Sequence, residues 1–256
     1  MVASGEAAAG AEEGMIERQI DIRTPDGATS TFICHPERGG AHPPILFYMD
    51  APAIREELRD MARRLATVGY YVMLPNLYYR AGVMELGPLT KPGARERMGA
   101  LMNGLDIAMV MSDTRALLEV IDADPAAAAG SIGAVGYCMS GQFAVNAAAA
   151  FPGRIAAAAS IYGTLLVTDR ADSPHLVAQR TGAELYFACA EIDRWAPLET
   201  VEALSQALAG SDARAEVELY PKVEHGFAFP QRGAYDKPSA ERHWERLIAL
   251  FRRRLG

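Results

Sequence analysis

Cysteine is scarce in this chain of 256 residues: there are three, Cys34, Cys138 and Cys189. None stands in a CxxC pair or beside a His/Cys cluster of zinc type. An odd number of widely spaced thiols excludes a disulfide framework and a structural zinc site, and it suits a reducing compartment. A run of about 18 apolar residues, the length that spans a bilayer, does not occur, so no membrane association is expected. Positive charge is in deficit, with 25 Lys and Arg against 32 Asp and Glu and a formal net charge of −7. Without a basic stripe, nucleic acid is excluded as a partner. The opening MVASGEAAAGAEEG lacks both a basic region and an apolar region of secretory type. Its Ala, Gly and Glu predict a flexible tail over 1–14. Internal repeats and low-complexity linkers are missing too, so 15–256 reads as a single domain. These absences together predict a cytoplasmic protein, a monomer or weak homodimer.

What is present is ordinary globular material. Half of the residues are hydrophobic and 22% are charged. A chain of this length buries roughly 75% of its unfolded surface, enough for a core without covalent staples. MIERQIDIRT and TSTFICHP alternate in the strand manner around PDG and predict an opening hairpin. PPILFYMD, YYVMLPNLY, GSIGAVGYC, IAAAASIYG, AELYFACAE and AEVELYPKV predict further strands. AIREELRDMARRLATVG has helical spacing, with Ile54, Leu58, Met61, Leu65 and Val68 on one face and Gly69 as the stop. MGALMNGLDIAMVMSDTRALLEVI predicts one long helix or two short ones. SGQFAVNAAAAF, PLETVEALSQALAG and SAERHWERLIALFRRRL are helical as well. The closing arginines complement a helix C-terminus. Strands alternating with helices predict an α/β fold with a mostly parallel twisted sheet and helices on both faces. The long loops near 75–98 and 163–182 are expected to border the functional site.

Chemistry concentrates at three positions. In VGYCMSG, Cys138 lies between a strand and a helix, on a turn that Gly136 permits. A helix N-terminus there favours a thiolate. The usual elbow is G-x-nucleophile-x-G; here Ser140 occupies the fifth place and the glycine follows at 141. The alternative is a structural Cys. His225, in KVEHGFAF, directly follows a late strand, whereas His35, His42, His175 and His243 are read as surface histidines. Asp193, in FACAEIDRWAP, follows another strand and can hold the far imidazole nitrogen. Glu191 is its nearby competitor. The order nucleophile, acid, base is that of α/β-hydrolases. Cys34 and Cys189 lie in apolar strands and are expected to be packing residues.

With these residues in place, the chain resembles the dienelactone hydrolase family over nearly all of 15–254. The likeness rests on GYC followed by a small residue and glycine, on the Asp after the next long strand, and on HGF. LPNLYYR and YMDAPAIREELRDMARRLATVGY add to it. The resemblance implies a single-domain α/β-hydrolase fold and a Cys138–Asp193–His225 triad. It also implies that Arg80 holds a substrate carboxylate and that Asp50 modulates the thiol, standing where the family has a glutamate. Phe229 falls where a second carboxylate-binding arginine is usual, and Arg232 is a nearby substitute. Backbone N–H groups of Met139 and Ala51 are expected to form the oxyanion hole. Tyr137 and Trp195 are candidate substrate contacts. The implied reaction is hydrolysis of a small activated ester or lactone through an acyl-enzyme, with no metal or organic cofactor. A general carboxylesterase or thioesterase of the same fold, and a non-catalytic redox-sensing or binding protein with a reactive Cys138, are the alternatives.

Overall fold

The structure, a computed structural model, describes residues 14–256. The predicted tail thus lies outside the described residues, Gly14 excepted. The opening hairpin forms as expected: β1 (Met15–Thr24) and β2 (Gly27–Pro36) pair antiparallel from Met15–Pro36 to Thr24–Gly27. β3 (Pro44–Tyr48), β4 (Tyr71–Pro75), β5 (Ile132–Tyr137), β6 (Ile155–Ile161), β7 (Glu184–Ile192) and β8 (Arg214–Glu224) complete the sheet. The spatial order of its eight strands is β1-β2-β4-β3-β5-β6-β7-β8. β2 meets β4 antiparallel, and every later neighbour is parallel. All residues of β3, β4 and β5 are buried. Continuous apolar runs of that kind require cover on both faces.

The covering helices are α1 (Glu56–Thr67), α2 (Ala94–Asn103), α3 (Ile107–Ala123), α4 (Gly141–Ala150), α5 (Pro174–Val177), α6 (Leu198–Ala209) and α7 (Lys237–Leu255). α1 buries Leu58, Met61 and Leu65 of its predicted stripe, while Ile54 and Val68 fall just outside the helix. Its first turn carries Glu56 and Glu57, which suit the positive end of the dipole. The stretch that allowed one helix or two forms two. Asp106 ends the ambiguity by accepting the Met109 N–H at 2.7 Å as the N-cap of α3. Asp236 caps α7 through the Ser239 N–H at 2.9 Å, and Arg252, Arg253 and Arg254 fill its last turn. No helix among the described residues is long and apolar enough to cross a membrane.

The strand order positions the site. From β3 the chain steps outward to β4, then returns through α2 and α3 to β5 on the other side of β3. In open parallel sheets, ligands bind outside the carboxyl ends of the strands at such a reversal. Asp50 and Ala51 leave β3 there, and Cys138 leaves β5. The two predicted loops are partly structured. The first holds a 3-10 turn at Tyr79–Ala81 and ends where α2 begins; the second holds α5 and a 3-10 turn at Ala178–Arg180.

Candidate active site

Cys138 follows β5 directly and has φ +56°, in the left-handed region. A non-glycine residue held there is strained, and such strain clusters at functional sites. The turn requires Gly136, where a Cβ would lie 2.0 Å from the Ser140 carbonyl oxygen. It also requires Gly141, where a Cβ would lie 2.6 Å from the Gly163 Cα. Ser140 is no obstacle. Its buried hydroxyl donates to the Met49 carbonyl and joins the end of β3 to the elbow. The Thr164 N–H donates to the Cys138 carbonyl at 3.1 Å and ties the elbow to the segment after β6. Cys138 itself keeps 8% of its surface exposed, a narrow but real access.

His225 and Asp193 come from the ends of β8 and β7. Their contact is His225 Nδ1 to Asp193 Oδ2 at 2.7 Å. A carboxylate only accepts, so Nδ1 carries the proton. Asp193 is fixed in turn by the N–H groups of Trp195 at 2.8 Å and Ala196 at 3.3 Å, both on Oδ1. Glu191 is excluded as the acid, because its Oε2 accepts the Lys222 N–H at 2.6 Å. The far nitrogen, His225 Nε2, is buried without a hydrogen bond of ordinary geometry. Cys138 is among the groups that act on the imidazole. Burial is the largest single influence on His225 and disfavours its charged form. Asp193 and Cys138 together outweigh it and lift the imidazole pKa to about 9. The two strand-embedded thiols behave oppositely: burial pushes Cys34 and Cys189 up to about 12, as befits packing residues.

Met139 lies in the first turn after the elbow, where helix geometry leaves N–H groups without intrahelical partners. The Ala51 N–H donates no hydrogen bond among the described residues. One residue missed by sequence reasoning connects the two segments. The Tyr78 hydroxyl lies 3.0 Å from the Ala51 carbonyl and 3.3 Å from the Met139 sulfur. Tyr78 stands within LPNLYYR, yet no periodicity marks it as a bridge.

Several expectations need correction. Asp50 is fully buried, but its carboxylate faces arginines rather than the thiol. Arg55 donates to Oδ1 at 2.6 Å and to Oδ2 at 3.2 Å, and Arg232 also donates to Oδ2. Charge-assisted pairing with guanidinium is stronger than contact with a thiol, which explains the preference. Arg55 also reaches Glu57 at 2.8 Å, and Arg55 and Arg232 both stack on Phe229, at 4.8 and 4.5 Å from its centroid. Arg80 does not join the triad. Its Nη1 and Nη2 each meet Asp113 at 2.8 Å, and its Nη2 meets Asp26 at 2.7 Å, so its fork is already occupied. Tyr137 is fully buried, with its hydroxyl on His243 Nε2 at 3.0 Å and its ring against Phe47, Tyr162 and Phe229, so it is a core residue. Trp195 is 54% exposed beside Asp193, with Arg194 stacked on its ring at 4.7 Å. His35, His42 and His243 are buried rather than on the surface, and burial pushes His243 down to about 3. No cluster of three or more metal-ligating side chains occurs among the described residues.

Comparison with known proteins agrees with this geometry. The family described as "Dienelactone hydrolase family" matches residues 30–255. A protein of Methylorubrum extorquens that carries the provisional name carboxymethylenebutenolidase is 27% identical over 93% of this chain and 81% of its own. One of the same provisional name from Salmonella typhi is 29% identical over 90% of each chain. The crystal structure of a provisionally named dienelactone hydrolase from Klebsiella pneumoniae superposes with a TM-score of 0.83 at 26% identity, covering 93% of this chain and 99% of its own. With an α/β-hydrolase sheet and a match across most of its length, the chain is a hydrolase and belongs to the dienelactone hydrolase family.

Proposed function

We propose that the protein is a thiol hydrolase of small activated esters or lactones, with Cys138, His225 and Asp193 as its triad. The observation that carries this reading is the arrangement of His225. One ring nitrogen is held by Asp193 at 2.7 Å, while the other is buried, unpaired and under the influence of Cys138. In the proposed reaction His225, protonated at neutral pH by its raised pKa, already holds the proton of Cys138, and the Cys138 thiolate attacks the substrate carbonyl. The developing oxyanion accepts hydrogen bonds from the N–H groups of Met139 and Ala51. Collapse expels the leaving-group oxygen, which takes the proton from His225, and leaves a thioester on Cys138. Water, deprotonated by His225, then releases the acid and regenerates the thiol. Asp193 holds the imidazole in the required tautomer throughout.

A thiolate is a better leaving group than an ordinary alkoxide, so unactivated esters and amides are poor substrates for it. An enol lactone opens to an enolate, which is a good leaving group. A dienelactone opening to a keto acid fits that requirement, and the name carboxymethylenebutenolidase borne by the relatives points the same way. A place in aromatic breakdown within the cytoplasm belongs to this reading, and the three free thiols suit it. The decisive experiment is a screen of enol lactones, 4-nitrophenyl esters and acyl thioesters with wild type and Cys138→Ala in parallel. Turnover of lactone by wild type and none by the variant is expected. Turnover that survives Cys138→Ala would remove the proposal, and a burst without steady turnover would favour a sensing role.

A further inference from the structure

Tyr162 stands directly after β6 at the end of the buried strand Ile155–Ile161. Its backbone has φ +37°, in the left-handed region, and its N–H is pinned to the Ala188 carbonyl at 2.7 Å. The ring is 1% exposed and packs edge-on against the catalytic imidazole, with centroids 5.0 Å apart. Tyr137, Phe227 and Phe229 close the other sides at 5.9, 5.2 and 6.1 Å. Yet the hydroxyl has no hydrogen-bond partner. A buried, unsatisfied phenol is costly and rare, and Phe would fill the same space without that cost. The groups that act electrostatically on this hydroxyl are Arg232, Tyr137, Asp50 and Cys138, which places it on the triad's side of the sheet. Arg232 has donors to spare: one nitrogen meets Asp50, while Nε and Nη1 have no acceptor among the described residues.

We propose that Tyr162 is a further substrate-binding residue, whose hydroxyl donates a hydrogen bond to an oxygen on the acyl portion of the substrate, beside Arg232. The proposal rests on the ester-hydrolase reading and adds to it a residue that discriminates among acyl groups by the hydrogen-bond acceptor they carry. Burial keeps the phenol protonated well above its ordinary range, so it remains a donor at all working pH.

The test compares wild type with Tyr162→Phe on 4-nitrophenyl hydrogen succinate and 4-nitrophenyl butyrate, which differ chiefly in the terminal carboxylate. The ratio of kcat/KM for succinate to that for butyrate is expected to fall roughly 10- to 100-fold, the worth of a hydrogen bond to a charged group. The melting temperature of Tyr162→Phe should hold or rise, because the variant removes an unsatisfied buried hydroxyl. An unchanged ratio would overturn the proposal. So would a lowered melting temperature, since it would mean that the hydroxyl serves the fold. Failure of wild type on both esters would remove the hydrolase reading, and this inference with it; turnover with an unchanged ratio removes the inference alone.

Discussion

Asp193→Asn tests the centre of the site through both stability and rate. In the wild type, Asp193 and Cys138 hold the His225 pKa at about 9, against the model-peptide value of 6.5. A raised pKa means that folding favours the protonated imidazole. The resulting stabilisation is complete below pH 6.5 and is lost as the pH rises through about 9. At about 1.36 kcal/mol for each unit, the shift amounts to about 3 kcal/mol. His225 has a side chain only 13% exposed, so solvent screening removes little of it. Asparagine keeps the size and can still accept from Nδ1, but it removes the anion. Burial then meets less opposition and the imidazole pKa should fall. Urea unfolding from pH 6 to 10 should show a decline in wild-type stability that the variant lacks, worth roughly 6–12 °C in melting temperature for a protein of this size. The Cε1 proton of His225, followed by NMR, should titrate near pH 9 in the wild type and at clearly lower pH in the variant. The rate should drop on the order of 10³- to 10⁴-fold, since the tautomer is no longer enforced. Parallel stability curves for the two proteins, or activity within tenfold of wild type, would refute the role of Asp193.

Cys138→Ala should abolish hydrolysis while costing only about 1 kcal/mol of stability in urea unfolding, as for loss of one small buried group; a collapse of the fold would mean a structural thiol instead. Iodoacetamide at pH 8, with sites read by mass spectrometry, should label Cys138 alone, because Cys34 and Cys189 are 0% and 3% exposed with pKa values pushed up to about 12. Gly136→Ala places a methyl 2.0 Å from the Ser140 carbonyl oxygen, so it should destabilise by more than about 3 kcal/mol and eliminate turnover; a soluble, active variant would show that the elbow can relax. Asp50→Asn should cost about 3 kcal/mol in urea unfolding, the lower end of the range for breaking a buried pair, because Arg55 and Arg232 keep 23% and 25% of their side chains exposed.

The fold was legible because its signals are local. Apolar strand runs, the stripe of α1 and the Pro-Asp-Gly turn each act within a dozen residues. The placement of the three candidate residues was legible for a related reason: each directly follows its own strand, so the parallel strands bring Cys138, Asp193 and His225 to the same carboxyl end of the sheet. What escaped was pairing across the chain. Arg232 meets Asp50 from 182 positions away, and Tyr137 meets His243 across 106. Nothing local marks a tyrosine that will be sealed against a histidine. His243 is buried because Ala240 and Tyr137 satisfy both ring nitrogens, and a satisfied histidine loses its reason to remain at the surface. The partners of Arg80 escaped for the same reason. Its motif was intact, but Asp26 and Asp113 lie 54 and 33 positions away and claim its donors.

Asp50 organises the turn that follows β3. The carboxylate leaves β3 one residue before Ala51, whose N–H is the proposed oxyanion donor. Arg55 reaches back across this turn to Asp50 and, at 3.3 Å, to the Ala53 carbonyl. Ala53 has φ +70°, a conformation that alanine does not hold without external support. The Ala53 N–H returns to the Asp50 carbonyl at 3.2 Å and closes the turn. Asp50, Arg55 and Ala53 therefore brace the segment that presents the Ala51 N–H, while Tyr78 holds its carbonyl from the other side. Arg232 joins the same carboxylate to the segment after His225. An aspartate in this position thus links the segment after β3 to the segment after His225 through arginine. Glutamate would extend its carboxylate by one methylene and could not keep this geometry without moving both guanidinium groups. The short side chain at position 50 and the arginines at 55 and 232 form one buried ion-paired unit next to Ala51.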